Sequence, residues 1–193
     1  MHINFAYRAT SETDKLRSIV QMALGLVCVA TLAGPIQAKS FANTYVSFDI
    51  PDDWQCSLEE TEYVCKPPAG PDGKYSMIVI LTAKEVGPLD SPQLYIQHLQ
   101  EDVGAKAGVK TVLPPTSTLI GQVIWLDATY LNSEIENYQT RYLARTEGNL
   151  GVLVTFSAHV SVAKQAQVIS DQIARSVQVN SYLARPELEE GGH

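Results

Sequence analysis

Hydrophobic and polar residues alternate with period two over residues 45–50 (YVSFDI), placing Val46, Phe48 and Ile50 on one face and predicting a half-buried strand. Pro51 stops it, and Asp52, Asp53 and Trp54 turn the chain. Two short strand-like runs follow, WQCSLEE and TEYVCKP, and then a loop over residues 66–73 (KPPAGPDG) that is dense in turn residues. Residues 77–81 (MIVIL) predict a buried strand. Ser91 and Pro92 then open a helix, the first as a cap and the second at the first helical position. Tyr95, Leu99 and Val103 recur on one face of that helix, which Gly104 and Gly108 end. Residues 111–115, with their Pro pair, predict an extended linker.

Four strand-like runs fill residues 116–158: TSTLI, QVIWLDATYL, YQTRYLART and LGVLVTFSA. Gly121 separates the first two, and Gly148-Asn149 makes a hairpin turn before the last. In the third run Tyr138, Thr140, Tyr142 and Ala144 oppose Gln139, Arg141, Leu143 and Arg145. In the fourth, Leu150, Val152, Val154, Phe156 and Ala158 share a face. A closing helix starts near Ser161, with Val162, Ala166, Ile169, Ile173 and Val177 along its stripe. Strands, helix, strands, helix in that order predict an α+β fold. It is a mainly antiparallel β-sheet sandwiched by helices.

Of the 193 residues, the first 38 read as an export signal. Residues 18–33 (SIVQMALGLVCVATLA) are apolar but for one Gln, Lys15 and Arg17 precede them, and the exit GPIQA offers small Ala38 at the cut with Ile36 two residues earlier. The apolar run is short for a membrane span of about 20 residues. An uncleaved anchor over residues 18–33 is the alternative. Cys28 lacks the small preceding residue of a lipoprotein cysteine. Cleavage leaves residues 39–179 as a single domain and 180–193 as a polar, loose tail. It also removes three basic and two acidic side chains, so the mature chain is more acidic than the full chain's net charge of −7. Nucleic acid and anionic lipid repel such a chain, so no nucleic-acid partner and no membrane insertion after cleavage are expected.

Cys56 and Cys65 then remain as an even pair in an exported chain, which reads first as a disulfide. With Glu60-Thr61 as the turn, Leu58 faces Tyr63 and Cys56 faces Cys65 at a non-hydrogen-bonded position, where side chains approach most closely. Closing that loop contributes about 2.5–3 kcal/mol in the chain-entropy model. A redox pair wants a C-x-x-C spacing, and a zinc site wants a nearby histidine; neither is present here.

Three groups of residues resemble a known family: F-D-I-P-x-x-W at residues 48–54, S-P-x-x-Y-I at 91–96, and RYLARTEGNLGVLVTFSA at 141–158 running into an amphipathic helix. The pattern is similar to that of PsbP/Mog1-like domains. The resemblance implies an α/β/α sandwich and a mostly non-enzymatic membership: luminal accessory subunits of photosystem II, regulators of a small GTPase, bacterial envelope proteins and chaperones for secreted toxins. It brings no catalytic residues with it. The cysteine pair favours an exported bacterial branch, periplasmic or secreted, with the thylakoid lumen as the alternative compartment.

The remaining candidates are sparse, and no cofactor is expected. Ser161 and Lys164 match S-x-x-K, but the companion K-T-G element is absent, so Ser161 reads as a helix cap. His98 and Asp102 stand one helical turn apart, the spacing of an acid–base pair and equally of an exposed helix pair. His159 is isolated between strand and helix. Arg141 and Arg145 could grip an anionic partner or belong to an ordinary polar sheet face. Trp54 and Trp125 would line a pocket between sheet and helix, if one forms. The expected role is an accessory protein of the cell envelope acting through protein contacts. A carrier or chaperone for a hydrophobic ligand or peptide is the second reading, and a small hydrolase or metal-dependent enzyme using His98 and Asp102 the third.

Overall fold

The computed structural model describes residues 38–87 and 90–180. The segment expected to be an export signal, but for Ala38, and most of the expected tail lie outside the described residues. Among the described residues, ten strands form two antiparallel sheets. The smaller pairs β1 (Ala38–Ala42), β2 (Val46–Pro51) and β10 (Gln178–Val179), with β2 central. The larger has the order β3-β4-β5-β9-β8-β7-β6. Its strands are β3 (Gln55–Glu59), β4 (Glu62–Lys66), β5 (Met77–Glu85), β6 (Lys110–Ile120), β7 (Val123–Leu131), β8 (Tyr138–Glu147) and β9 (Leu150–His159).

The alternation along these strands sorts them into two faces. On the inner face Val79, Leu81, Val152, Val154, Phe156, Leu143 and Trp125 are buried against Val46, Phe48 and Ile50 of the small sheet. The same cluster takes Ala166, Ile169 and Ile173 of α2 (Ala163–Ser176). On the outer face, Leu99 and Val103 cover Ala128, Tyr130 and Tyr142. These two come from the segment that begins as α1 (Pro92–Gln97) and continues as π-helical turns over His98–Val103. The α+β sandwich is therefore present, with apolar clusters on both faces of one sheet.

The hairpin register is as predicted: Leu58 opposes Tyr63, Cys56 opposes Cys65, and the disulfide is formed with the Cα atoms 4.0 Å apart. Glu60 takes up the left-handed backbone the two-residue turn needs, at φ 56°. Ser91 accepts from the Leu94 amide at 3.2 Å and Pro92 occupies the first turn, as expected.

Several expectations are corrected. Residues 111–115 are not a linker but part of β6. That strand lies at the sheet's edge, and its pairing shifts twice, on either side of Leu113, next to Pro114 and Pro115. Only an edge with such irregularities tolerates residues that donate no ladder hydrogen bond. The first helix is not regular throughout: the Gly104 amide donates to the Leu99 carbonyl, five residues back, at 2.8 Å. A Cβ on Gly104 would meet the Tyr130 ring at 2.9 Å, so the bare glycine lets this turn close onto the sheet. Ser161 is not the cap of the final helix. His159 precedes the 3₁₀ turn Val160–Val162, and its Nδ1 accepts from the Ser161 amide at 3.3 Å. Among the described residues no helix is long and apolar enough to cross a membrane.

Candidate binding groove

The outer face of the sheet is wider than the one helical segment that lies on it among the described residues. Seven strands spaced about 4.8 Å apart span about 29 Å, whereas a helix is about 10 Å across. Leu99 and Val103 close the part over Tyr130 and Tyr142. Beside it a cleft of about 360 Å³ stays open. Its floor is a single row running across four strands, Thr82, Leu153, Ala144 and Leu126, each directly opposite the next. Leu94, Tyr95 and His98 form its helical wall. The neighbouring row adds Ile124 and Leu119, directly paired and 66% and 67% exposed. A sheet face alternates with period two, so Ile124 stands on the same side as Leu126.

The groove ends in charge. At the β4 end, the Thr82 hydroxyl donates to Glu62 at 2.8 Å, and Glu62 stands directly opposite Glu59. Like charges across a strand pair are unfavourable. Lys84 and Asp90 pair at 3.1 Å along another rim. The Gly87 amide, donating to Asp90 at 2.8 Å, and then Lys84 hold that carboxyl below the usual carboxylate range. Under the helix, the Tyr142 hydroxyl donates to Glu134 and accepts from the Ser133 hydroxyl at 3.2 Å. Burial first and then the Glu134 carboxylate push the Tyr95 and Tyr142 phenols up, so both are neutral donors at physiological pH.

The residues singled out from sequence lie elsewhere or do ordinary work. Trp54 and Trp125 are core residues on the inner face, 3% and 0% exposed, and neither lines the groove. Arg141 and Arg145 do not form a polar sheet face. Their strand face is the inner one, covered by α2. Arg141 binds Asp127 through two hydrogen bonds at 2.9 and 2.7 Å, and reaches Ser170 and Asp171 of α2 at 2.8 and 2.7 Å. The Arg145 guanidinium lies 4.9 Å from the Trp125 ring and donates to the Val177 carbonyl at 3.1 Å. A smaller cavity of about 250 Å³ with a mixed lining adjoins Arg141 and Asp127. His98 and Asp102 do meet, Nδ1 to Oδ2 at 2.9 Å, but both are exposed, as an i,i+4 helix pair is. Among the described residues, no three His, Cys, Asp or Glu side chains converge on a point that could hold a metal ion.

The groove itself was missed in the sequence. Its floor comes from four strands whose order the local pattern does not give. The one signal was the Tyr138–Ala144 alternation, in which β8 presents a second face with apolar character.

No family model matches the chain, and no curated protein matches it. Solved structures do. A Bacteroides thetaiotaomicron protein superposes with a TM-score of 0.54 and 15% identity over 75% of this chain, which spans about half (49%) of that protein's length. Cyanobacterial PsbP (CyanoP) from Synechocystis sp. PCC 6803 gives 0.55 and 8% identity, covering 81% of this chain and 100% of its own. The Ran-binding protein Mog1p of Saccharomyces cerevisiae gives 0.50 and 9% identity, covering 78% and 100%. With sequence likeness this low the agreement lies in the architecture, an antiparallel sheet with helices on both faces, and the chain has the PsbP/Mog1-like fold.

Proposed function

We propose that this chain is an exported, non-enzymatic binding protein of the cell envelope that engages a protein partner through its outer sheet face. The observation that carries the reading is the half-covered face: an apolar row with a helical wall on one side and the exposed Leu119–Ile124 pair on the other. Exposed apolar area of this kind, edged by polar groups, is typical of interaction sites. The export segment over residues 18–33 and the Cys56–Cys65 disulfide support an oxidising compartment. The fold likeness to Mog1p, a Ran-binding protein, supports a role in binding rather than catalysis.

The test is site-specific photocrosslinking in intact cells of the native organism. A crosslinker at Leu94, on the groove wall, should capture one partner. A crosslinker at Val168, exposed on α2 on the other side of the sheet, should not. No adduct from Leu94, or adducts from Val168 alone, would sink the proposal. A second reading, a carrier for a small apolar ligand, rests on the cleft's volume, which lies in the range of ligand pockets.

A further inference from the structure

We infer that the occupant of the groove is a basic amphipathic helix of the partner protein. The inference rests on the proposed binding role and names the chemistry of its partner. The argument begins with shape. The sheet is about 29 Å wide and its one helical segment among the described residues covers about 10 Å, so about 19 Å of the face stays uncovered, enough to seat a further helix. The floor row runs straight across the strands from Thr82 to Leu126, and the exposed Ile124–Leu119 pair stands in the row beside it. An apolar strip of this form suits a helix carrying apolar residues at i, i+3, i+4 and i+7.

Charge then selects among amphipathic helices. The row ends at Glu62 and Glu59, two carboxylates placed directly opposite each other. Their partners are hydroxyls, Thr82 for Glu62 and Ser57 for Glu59, and no described cation pairs with either. A like-charged pair in a hairpin costs stability, and a Lys or Arg of an incoming helix would offset that cost. Asp102 stands beside His98 on the helical wall, and both cations along the cleft are already engaged, Lys84 by Asp90 and Arg145 by Glu147 and the Val177 carbonyl. The chain as a whole carries a net charge of −7, which draws basic segments toward it.

The test uses the full chain and two fluorescein-labelled synthetic helices with the same leucine stripe, one flanked by lysines and one by glutamates, followed by anisotropy. The lysine peptide should bind saturably, at least tenfold tighter than its twin, and more weakly as salt is raised. Leu94→Ser, at a 43% exposed position, should weaken it at least fivefold with the melting temperature unchanged. Glu59→Lys should also weaken it, yet raise the melting temperature by replacing a repulsive pair with an attractive one; a purely structural role for Glu59 would not give that combination. Equal binding of both peptides would overturn the inference. So would lysine-peptide binding that survives both substitutions, since that is attraction to net charge alone. A dimer dissolved by Ile124→Ser would make the occupant a second copy, and acyl chains extracted stoichiometrically from the protein would make it a lipid; either result overturns the inference. If the Leu94 crosslink lands on an acidic or uncharged segment, the basic helix falls while the binding role stands. If Leu94 gives no crosslink, the binding role itself falls.

Discussion

Arg141 and Asp127 lie on adjacent strands and meet through two parallel hydrogen bonds, 2.9 Å from Nε and 2.7 Å from Nη2, with the Asp127 side chain almost wholly removed from solvent. The same guanidinium reaches α2 at Ser170 and Asp171, so one side chain ties two strands of the sheet to the helix that covers them.

Removing one partner of such a buried pair leaves an uncompensated charge. Arg141→Ala should therefore destabilise the protein by about 3–5 kcal/mol. The double change Arg141→Met, Asp127→Leu should cost less than Arg141→Ala, because it removes the fully buried carboxylate and leaves unpaired only Asp171, which is 29% exposed. Urea denaturation of the three proteins checks the order. A double variant less stable than Arg141→Ala would show that the pair itself, rather than the cost of isolating one charge, holds the layers together.

The disulfide closes a hairpin at the outer end of the large sheet. Cys56→Ala and Cys65→Ala should each lower stability by about 2–3 kcal/mol, and the double variant should be no worse than either single one. Thermal melts with and without reductant test this. An unchanged melting temperature on reduction of the natural protein would refute a stabilising role.

Asp90 is held below its ordinary pKa by the Gly87 amide and by Lys84. A carboxylate with a depressed folded pKa adds stability that is fully present above the unfolded value near 3.8. That contribution falls away as pH drops below this value and through the lower folded one. Asp90→Asn should leave a flatter stability profile than the natural protein below about pH 4. Urea midpoints measured from pH 6 to pH 2 check it. A parallel loss in both proteins would assign the acid sensitivity to other carboxylates.

Leu99 is wholly buried between the helical segment and the Tyr130–Tyr142 pair. Leu99→Ala should cost about 2–5 kcal/mol. Amide exchange should quicken first in residues 92–103, while β5 and β9 keep their protection. Uniform acceleration would mean that this segment and the sheet unfold as one unit.

Much of the fold was legible because the apolar positions repeat with the right periods. Val46, Phe48 and Ile50, or Leu150 to Ala158, fall on buried faces as alternation requires. The disulfide register could be read because a two-residue turn pairs the cysteines by counting alone. Other features depend on neighbours that a local pattern does not reveal. Pro114 and Pro115 sit within a strand because that strand lies at an edge. Arg141 and Arg145 look like surface residues by type, yet Asp127, Asp171 and the Val177 carbonyl make the interior polar enough to accept them. The π-helical turns leave the spacing of Leu99 and Val103 unchanged, so periodicity carries no trace of them. The groove was the least legible feature, since it depends on β5, β9, β8 and β7 lying side by side, an order set by long-range pairing.

The Pro pair in β6 has a consequence at the other margin of the same strand. A row of free amides and carbonyls invites another chain to add itself as an eighth strand. At β6 two amides are missing and the pairing is broken by two register shifts. At β3 the outer strand is only five residues long and is clamped to its neighbour by a covalent bond. Growth by strand addition therefore meets an obstacle at both ends of the sheet. The large sheet is thus sealed at its margins against copies of itself, while the broad face remains free for contact.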